Sequence, residues 1–310
     1  MRRSLALLLV LTPLCAAIAA EPASVKPDAV ILLDLVRDGR NLLAVGERGT
    51  VLRSDDDGLH WTTAPPMTTR TLAAIAVADG GVAVAVGHGG TLLRSGDGGQ
   101  NWTAIAVPEA GKDAVLGVTW LGDGHFIAYG AFGLMLRSDD DGRTWTRQTI
   151  LGEDFDRHIY KIVACNQRDL LLAGESGTLA ASTDGGATWA RLASPYAGSF
   201  FGALATRTGG ILVFGMRGHI LRTTDPAKGW TEIPTGTNAA FNNALLLADG
   251  RIVLVGNNGV AAISDDDGRS VRLVKAGRAA SLAQVAETTT GALIAAGDTG
   301  ILRLEGLGHE

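Results

Sequence analysis

Short segments of nearly the same sequence recur along this chain at an almost constant interval, and this recurrence restricts the fold more than any other feature. Residues 138–145 (SDDDGRTW) share the pattern Ser-x-Asp-x-Gly-x-x-Trp with residues 54–61, 95–102 and 182–189. Two weaker copies follow at 223–230, which lacks the glycine, and at 264–271, which lacks the tryptophan. Regular self-similarity of this length is typical of propellers and solenoids.

A second motif, Gly-x-x-Gly followed by a short apolar run, precedes each of these turns and occurs once more near the C-terminus. Its first glycines are 41 to 44 residues apart: Gly46, Gly87, Gly130, Gly174, Gly215, Gly256 and Gly297. Each repeat contains apolar runs of strand length separated by tight-turn residues, and none has a helical period. The sequence therefore predicts an all-β fold, a seven-bladed β-propeller of four-stranded antiparallel blades. The last repeat is too short for an outer strand, and residues 23–25 are a candidate for that strand.

The N-terminal segment has the features of a secretory signal peptide. Arg2 and Arg3 precede an apolar run at 5–14, and Ala17 and Ala19 form a small-residue cleavage site. We therefore predict a signal peptide at 1–20, a single propeller domain at 21–310 and a periplasmic location. Loss of the two arginines changes the formal charge from −5 to −7, which argues against nucleic acid as a partner. Cys165 would then be the only cysteine, so no intramolecular disulfide can form.

The repeated turn is expected to be structural. Its serine and aspartate can hydrogen-bond nearby backbone groups, its glycine permits a sharp reversal, and its tryptophan can pack between blades. The alternative, a calcium site at the runs of three aspartates, lacks the ligand order and closing glutamate of an EF-hand. No metal or cofactor is predicted. The structural turn residues are Ser54, Asp56, Gly58, Trp61, Ser95, Asp97, Gly99, Trp102, Ser138, Asp140, Gly142, Trp145, Ser182, Asp184, Gly186, Trp189, Asp225, Trp230, Ser264, Asp266 and Gly268.

These turns resemble the Asp-box, or bacterial neuraminidase repeat. Together with the preceding Gly-x-x-Gly, as in residues 130–145 (GAFGLMLRSDDDGRTW), they make the chain similar to the photosystem II stability and assembly factor family. That resemblance implies a seven-bladed, non-enzymatic chaperone for membrane-protein assembly. The chain lacks the lipobox of many cyanobacterial members, which suggests a non-photosynthetic bacterial branch. Relatives there resemble accessory proteins of RND-type exporters of hydrophobic cargo, and this gives an alternative partner.

The distance between the repeated motifs varies only on one side of the repeat, from each tryptophan position to the next Gly-x-x-Gly. Length variation on one face often marks a binding face, and aromatic, arginine and asparagine side chains are typical of protein contacts. We expect a monomer that binds a membrane-associated protein there, beside the Gly-x-x-Gly residues Phe132 and Met216. The alternative for the phenylalanines is a place in the core. The predicted contact residues are Arg157, His158, Tyr160, Tyr196, Phe200, Phe201, Arg217, Phe241, Asn242 and Asn243.

Two further patterns each allow more than one interpretation. An arginine recurs just before the turn serine, as at Arg94 and Arg137, and is either a cationic belt or, as we favour, a structural group paired within or between blades. Asp-boxes also occur in sialidases, whose chemistry needs a carboxylate pair or a tyrosine nucleophile. We expect no enzyme activity, because no such constellation is evident. The tyrosines available are Tyr129, Tyr160 and Tyr196, and none lies in an evident group of arginine and glutamate. The nearest candidates are Glu153, Asp154 and Asp156, which lie near Arg157.

Overall fold

The computed structural model describes residues 26–27, 29–275 and 280–307. The predicted signal peptide at 1–20 and the candidate closing strand at 23–25 lie outside the described residues. No helix in the part of the chain that is described is both long and apolar enough to cross a membrane.

The described residues form seven antiparallel sheets, and the strands of each sheet follow one another in sequence order. This confirms the predicted seven-bladed propeller. Blades 1 to 6 have four strands each: β1 (Leu32–Asp38), β2 (Asn41–Gly46), β3 (Val51–Ser54), β4 (Thr62–Thr63); β5 (Leu72–Val77), β6 (Ala83–Gly87), β7 (Thr91–Ser95), β8 (Thr103–Ala104); β9 (Val115–Gly122), β10 (His125–Gly130), β11 (Met135–Ser138), β12 (Thr146–Arg147); β13 (Ile159–Ala164), β14 (Leu170–Gly174), β15 (Leu179–Ser182), β16 (Ala190–Arg191); β17 (Phe200–Ala205), β18 (Ile211–Gly215), β19 (Ile220–Thr223), β20 (Thr231–Ile233); β21 (Phe241–Leu246), β22 (Ile252–Gly256), β23 (Val260–Ser264), β24 (Arg272–Lys275).

Blade 7 has three strands among the described residues: β25 (Leu282–Glu287), β26 (Leu293–Gly297) and β27 (Gly300–Leu304). At the outer edge of this blade the Ile301 amide donates a hydrogen bond to the Pro27 carbonyl at 2.9 Å. The start of the described chain thus contacts the edge at which the other blades carry a fourth strand. The ring is also closed by packing, because Leu35 and Leu52 of blade 1 share one apolar cluster with Ile294 of blade 7.

The hydrophobic core lies between the blades rather than at one centre. Second strands are buried along their whole length, as in β18 and β22, because a neighbouring blade covers each of their faces. The largest apolar cluster joins Val84 and Val86 of blade 2 to Phe126 and Leu136 of blade 3. Continuous apolar runs such as ILVFG and IVLVG are the sequence expression of a strand buried on both sides.

The repeated serine and aspartate close each turn through the same hydrogen bonds. Ser138 Oγ donates to Asp140 Oδ1 at 2.9 Å and accepts the Gly142 amide at 3.0 Å. Asp140 Oδ1 also accepts the amides of Arg143 and Thr144, and Trp145 Nε1 donates to the Gly142 carbonyl at 3.1 Å. The bonds from the serine recur at Ser54, Ser95, Ser182 and Ser264. We name these five reversals the Ser-Asp turns.

The repeated arginines join neighbouring blades. Arg94 Nε donates to the Asp141 carbonyl of the next blade's Ser-Asp turn at 2.6 Å, and Arg137 Nη1 donates to the Gly185 carbonyl at 2.9 Å. Equivalent bonds link Arg53 to Gly98, Arg222 to Asp267 and Arg303 to Asp57. The interpretation of these residues as structural arginines that pair between blades is confirmed.

Candidate functional site: the variable face and the channel mouth

The turns between second and third strands all lie at the end of the propeller opposite the Ser-Asp turns, and we name this end the variable face. In five blades the turn is one short 3-10 segment whose second residue adopts a left-handed conformation. None of these five residues is glycine, and their φ angles lie between 52° and 57°: Arg48, Phe132, Ser176, Arg217 and Asn258. Such conformations are unfavourable for residues with a Cβ, so the surrounding backbone must impose them. All five side chains are exposed.

The first glycine of each Gly-x-x-Gly has a separate steric reason. A Cβ on Gly130 would lie 2.0 Å from the Ala114 carbonyl oxygen, and one on Gly46 would lie 2.0 Å from that of Ile31. The chain that enters the first strand passes directly over this glycine. The same close approach in every blade fixes the turn against the start of the first strand.

The connections from one blade to the next lie on the same face and account for the variation in repeat length. Residues 105–114 and 148–158 connect blades 2 to 3 and 3 to 4, whereas 64–71 and 192–199 serve the shorter repeats. The first of these includes a 3-10 segment at Pro108–Ala110. The predicted location of the extra residues on this face is confirmed.

Every first strand contains a β-bulge near its start, which the sequence analysis did not predict. The residue before the bulge pairs with the first glycine of the Gly-x-x-Gly, and the residue after it pairs with the preceding position. The seven first strands enclose a central channel, and we name its end at the variable face the channel mouth. The bulged residues are half-buried at this mouth and line a cavity of about 370 Å³. They are Leu33, Ala73, Leu116, Tyr160, Phe201, Asn242 and Ala283.

The position of the bulge explains why two of the predicted contact residues are buried. Phe200 and Phe241 occupy the position before the bulge and are 0% exposed, so they belong to the cores between blades and cannot touch a partner. Their expected place at a binding face was therefore wrong. The next residue along, Phe201, lies at the channel mouth, because a bulge redirects the following side chain to another side of the strand.

Four of the aromatic rings form a continuous row across the variable face. Phe132, which is 57% exposed, makes an edge contact with His158 at 5.0 Å between ring centroids. His158 lies 6.1 Å from Tyr160, and Tyr160 makes an edge contact with Phe201 at 5.5 Å. We name these four residues the aromatic row; it runs from the exposed turn of blade 3 to the channel mouth.

A second, smaller group of side chains lies beside the row. The ring of Tyr196 stacks on His219 at 4.0 Å, and its hydroxyl donates to the Met216 carbonyl at 3.3 Å. Met216 and Arg217 are both exposed in the same turn. Tyr196 and Arg217 thus lie near each other, but no ring contact joins them to the aromatic row among the described residues.

The polar groups around the row are only partly available for binding. Glu175 accepts the backbone amide of His158 at 3.1 Å, and burial together with the charge of Glu175 raises the pKa of Tyr160. Arg157 is exposed and lies 3.7 Å from the Asp156 carboxylate. Asn242 donates to Asn257 and to the Leu282 carbonyl of blade 7, so its amide already joins two blades.

The candidates for sialidase-like chemistry do not come together. Tyr129 is buried, and its hydroxyl lies 3.2 Å from Thr119 Oγ1 in a packed core. Asp156 pairs with Arg157, and the Tyr196 hydroxyl bonds a backbone carbonyl. Over 26–27, 29–275 and 280–307, no group of three His, Cys, Asp or Glu side chains could hold a metal ion.

Some residues of this face could not be found from the sequence. Leu33, Leu116 and Lys161 line the channel, yet each lies in an ordinary apolar run. Only the alignment of seven bulges, which brings residues from distant repeats to one ring, identifies them. Phe132 could be noticed, because its position inside Gly-x-x-Gly marks an outward turn.

Together these features define a seven-bladed β-propeller with one structural end and one variable, aromatic-rich end. The family model described as "Photosynthesis system II assembly factor YCF48" matches residues 66–303, and the chain belongs to this family. No curated protein matches the sequence.

Comparison with solved structures shows the same fold at low sequence identity. A structure described as YCF48 bound to D1 peptide is 18% identical, with a TM-score of 0.74 over 91% of this chain and 95% of that one. YCF48 from Cyanidioschyzon merolae is also 18% identical, with a TM-score of 0.73 over 90% and 96%. An ancestral GH74 enzyme matches with a TM-score of 0.72 and 16% identity, but only 45% of that chain is covered.

Proposed function

We propose that this protein is a non-catalytic periplasmic assembly factor that binds a peptide segment of a membrane-associated protein on its variable face. The observation that carries the proposal is the aromatic row, which presents connected rings from the exposed Phe132 to the channel mouth. Rings that hold one another in place lose little side-chain freedom on binding, which favours a contact surface.

The family and one of its solved structures support this reading. The chain belongs to a family of assembly factors, and the related YCF48 structure carries a D1 peptide. At 18% identity that likeness extends to the fold, so the partner proposed here is defined by chemistry rather than by the name of that peptide. The varied loops on the same end provide the residues by which members of one fold distinguish partners.

The chemistry of the face indicates which segment it would bind. The aromatic row and the exposed Met216 suit apolar side chains, whereas Arg157 and Arg217 at its borders suit acidic ones. An extended segment with apolar residues and nearby acidic groups fits both features. Segments of this kind occur in the soluble tails and loops of membrane proteins.

The periplasmic location rests on the sequence of residues 1–20 and has its own test. We expect osmotic shock of the native cell to release a protein whose N-terminus lies near Glu21, as read by mass spectrometry. Recovery of the intact N-terminus from the cytosol would reject the location while leaving the binding proposal open.

Site-specific crosslinking in the native cell envelope tests the binding proposal directly. A photoreactive phenylalanine analogue at Phe132 should crosslink to a membrane-associated protein. Leu59 supplies a matched control, because it is 63% exposed on the opposite, structural end. Crosslinks at Leu59 but not at Phe132 would reject the variable face as the contact surface. The identity of the crosslinked protein would separate an assembly partner from a subunit of an RND-type exporter.

A further inference from the structure

Directly below the ring of bulged residues, the channel carries a second ring with a different chemistry. The residues that follow the bulge pair at the same register position in every blade, so they lie at one level. In blades 2, 3 and 5 they are small: Ala74, Gly117 and Gly202. In the other four blades they are polar: Asp34, Lys161, Asn243 and Gln284.

Two of the small residues at this level are glycines because a core ring lies directly behind each of them. A Cβ on Gly117 would lie 2.1 Å from the Tyr129 ring, and one on Gly202 would lie 2.2 Å from the Phe214 ring. A side chain at either position would therefore point toward the core of its own blade rather than into the channel. The cavity of about 370 Å³ extends past this level, and a second of about 330 Å³ shares Lys161 and Asn243 with it and reaches Glu287 toward the structural end.

Of the polar residues in this ring, the acid and one amide are already engaged. Asp34 Oδ1 accepts Gln284 Nε2 at 2.7 Å and the Leu35 amide at 2.8 Å, while Asp34 Oδ2 accepts the Ile75 amide at 2.9 Å. Three donors thus stabilise the only carboxylate at this level. Its partners are two backbone amides and one side-chain amide, and no cation of the described residues forms an ion pair with it.

Lys161 and Asn243 differ from Asp34 and Gln284 in this respect. Both line the upper and the lower cavity, and within the described part of the chain neither side chain has a hydrogen-bond or ion-pair partner. Lys161 is half-buried, and no carboxylate of the described residues forms an ion pair with it. Glu287, in the lower cavity, instead accepts the Ala248 amide at 2.8 Å.

We propose that the channel binds a carboxylate group at Lys161 and Asn243, with the apolar part of the ligand in the collar formed by Leu33, Leu116, Tyr160 and Phe201. An ammonium and an amide NH₂ can both donate to one carboxylate. The apolar ring lies at the mouth and the unpaired cation one residue deeper, so the ligand enters carboxylate-first. An uncharged or cationic ligand would leave the ammonium without a partner.

This chemistry has two possible sources, a free small carboxylate or an acidic group of a protein segment. The site itself is independent of the proposed function, and only the peptide source rests on it. Hexanoate is a suitable probe, because it combines one carboxylate with a short apolar chain, and hexanamide is its uncharged counterpart. Two capped tripeptides, acetyl-Leu-Leu-Glu-amide and acetyl-Leu-Leu-Gln-amide, provide the same comparison for the peptide source.

Ligand-observed NMR titrations of the mature chain test the site. Hexanoate should bind and hexanamide should not, and Lys161→Met should weaken hexanoate binding about tenfold or more, as expected for loss of one charge-assisted contact. Lys161→Arg keeps a cation and should retain most of the affinity. Lys112→Met removes the same charge from an exposed position and should have no effect. Unchanged thermal melting would show that each variant is folded.

The outcomes separate the possibilities. Displacement of hexanoate by the glutamate peptide but not by the glutamine peptide assigns the site to a protein segment, whereas binding of hexanoate alone assigns it to a free carboxylate. Equal binding of hexanoate by Lys161→Met, equal binding of hexanamide, or no hexanoate binding would overturn the proposal. Failure of the Phe132 crosslink with intact hexanoate binding would reject only the proposed function.

Discussion

The two ends of this propeller are built from the same repeat but use it in opposite ways. At the structural end the same side chains make the same bonds, as Ser95, Ser138 and Ser182 do with Asp97, Asp140 and Asp184. At the variable end the backbone repeats, with its bulge and left-handed turn, while the side chains differ from blade to blade. A repeated backbone that carries non-repeated side chains is the pattern expected of a recognition surface.

Blade 5 shows what changes at the structural end when the turn lacks its glycine. Its turn has lost the glycine, and the buried Trp230 Nε1 has no hydrogen-bond partner, whereas Trp145 Nε1 bonds the Gly142 carbonyl. The arginine series is interrupted at Ala181 and Ile263, just before blade 5 and blade 7. Neither of those blades has a Ser-Asp turn in the described part of the chain, so an arginine there would lack the usual carbonyl acceptor.

The largest expected effect tests whether burial separates two neighbouring residues at the variable end. Phe200→Ala should lower the free energy of unfolding by about 3–5 kcal/mol, because Phe200 is fully buried between blades. Phe201→Ala should lower it by less than about 1 kcal/mol, because Phe201 lies at the channel mouth. Guanidinium unfolding measures both. Similar losses for the two variants would contradict the bulge register.

A smaller effect is expected at the structural end. Ser138→Ala removes a buried hydroxyl that serves two partners and should cost about 1–3 kcal/mol. Ser176→Ala, in an exposed turn of the variable end, should cost less than about 0.5 kcal/mol. The same unfolding assay applies. A loss at Ser176 as large as that at Ser138 would mean that both ends are structural.

The arginine bonds between blades should have a more modest effect. Arg94→Met keeps much of the apolar stem but removes the bond to the Asp141 carbonyl, and we expect a loss of about 1–2 kcal/mol. The reverse change, Ala181→Arg, should leave stability within about 0.5 kcal/mol of wild type, since blade 5 lacks the acceptor turn. Thermal unfolding of both variants is the measurement. Clear stabilisation by Ala181→Arg would contradict the inference that the arginine is useful only where the next blade has a Ser-Asp turn.

The smallest expected effect of a single substitution is on stability at low pH. Hydrogen bonds from Asn101 and Ser95 lower the pKa of Asp97 to about 2, and those from Thr188 and Ser182 lower the pKa of Asp184 to about 2. Because these pKa values lie below the ordinary aspartate value of 3.8, the stabilisation from the charged carboxylates is full above about pH 4 and is lost as the pH falls toward 2. Asp97→Asn should reduce the stability at pH 7 and flatten its decline in acid.

Circular dichroism during acid titration would measure this change as a small shift of the acid midpoint. Asp154→Asn is a suitable control, because Asp154 is exposed in the connection between blades 3 and 4, at the end opposite the Ser-Asp turns. An identical acid profile for wild type and Asp97→Asn would mean that the turn aspartates do not control acid stability.

The sequence by itself determined the number of blades, the position of each Ser-Asp turn and the end of the propeller on which length varies. These features depend on contacts within a few residues, such as Ser138 with Asp140 and Gly142, and local contacts leave a direct mark in a repeat. Only the tertiary structure decided which of Phe200 and Phe201 is buried, what Arg94 bonds and which residues share the channel with Lys161. Those properties depend on a one-residue bulge and on partners from other blades, and neither is visible in the local order of the residues.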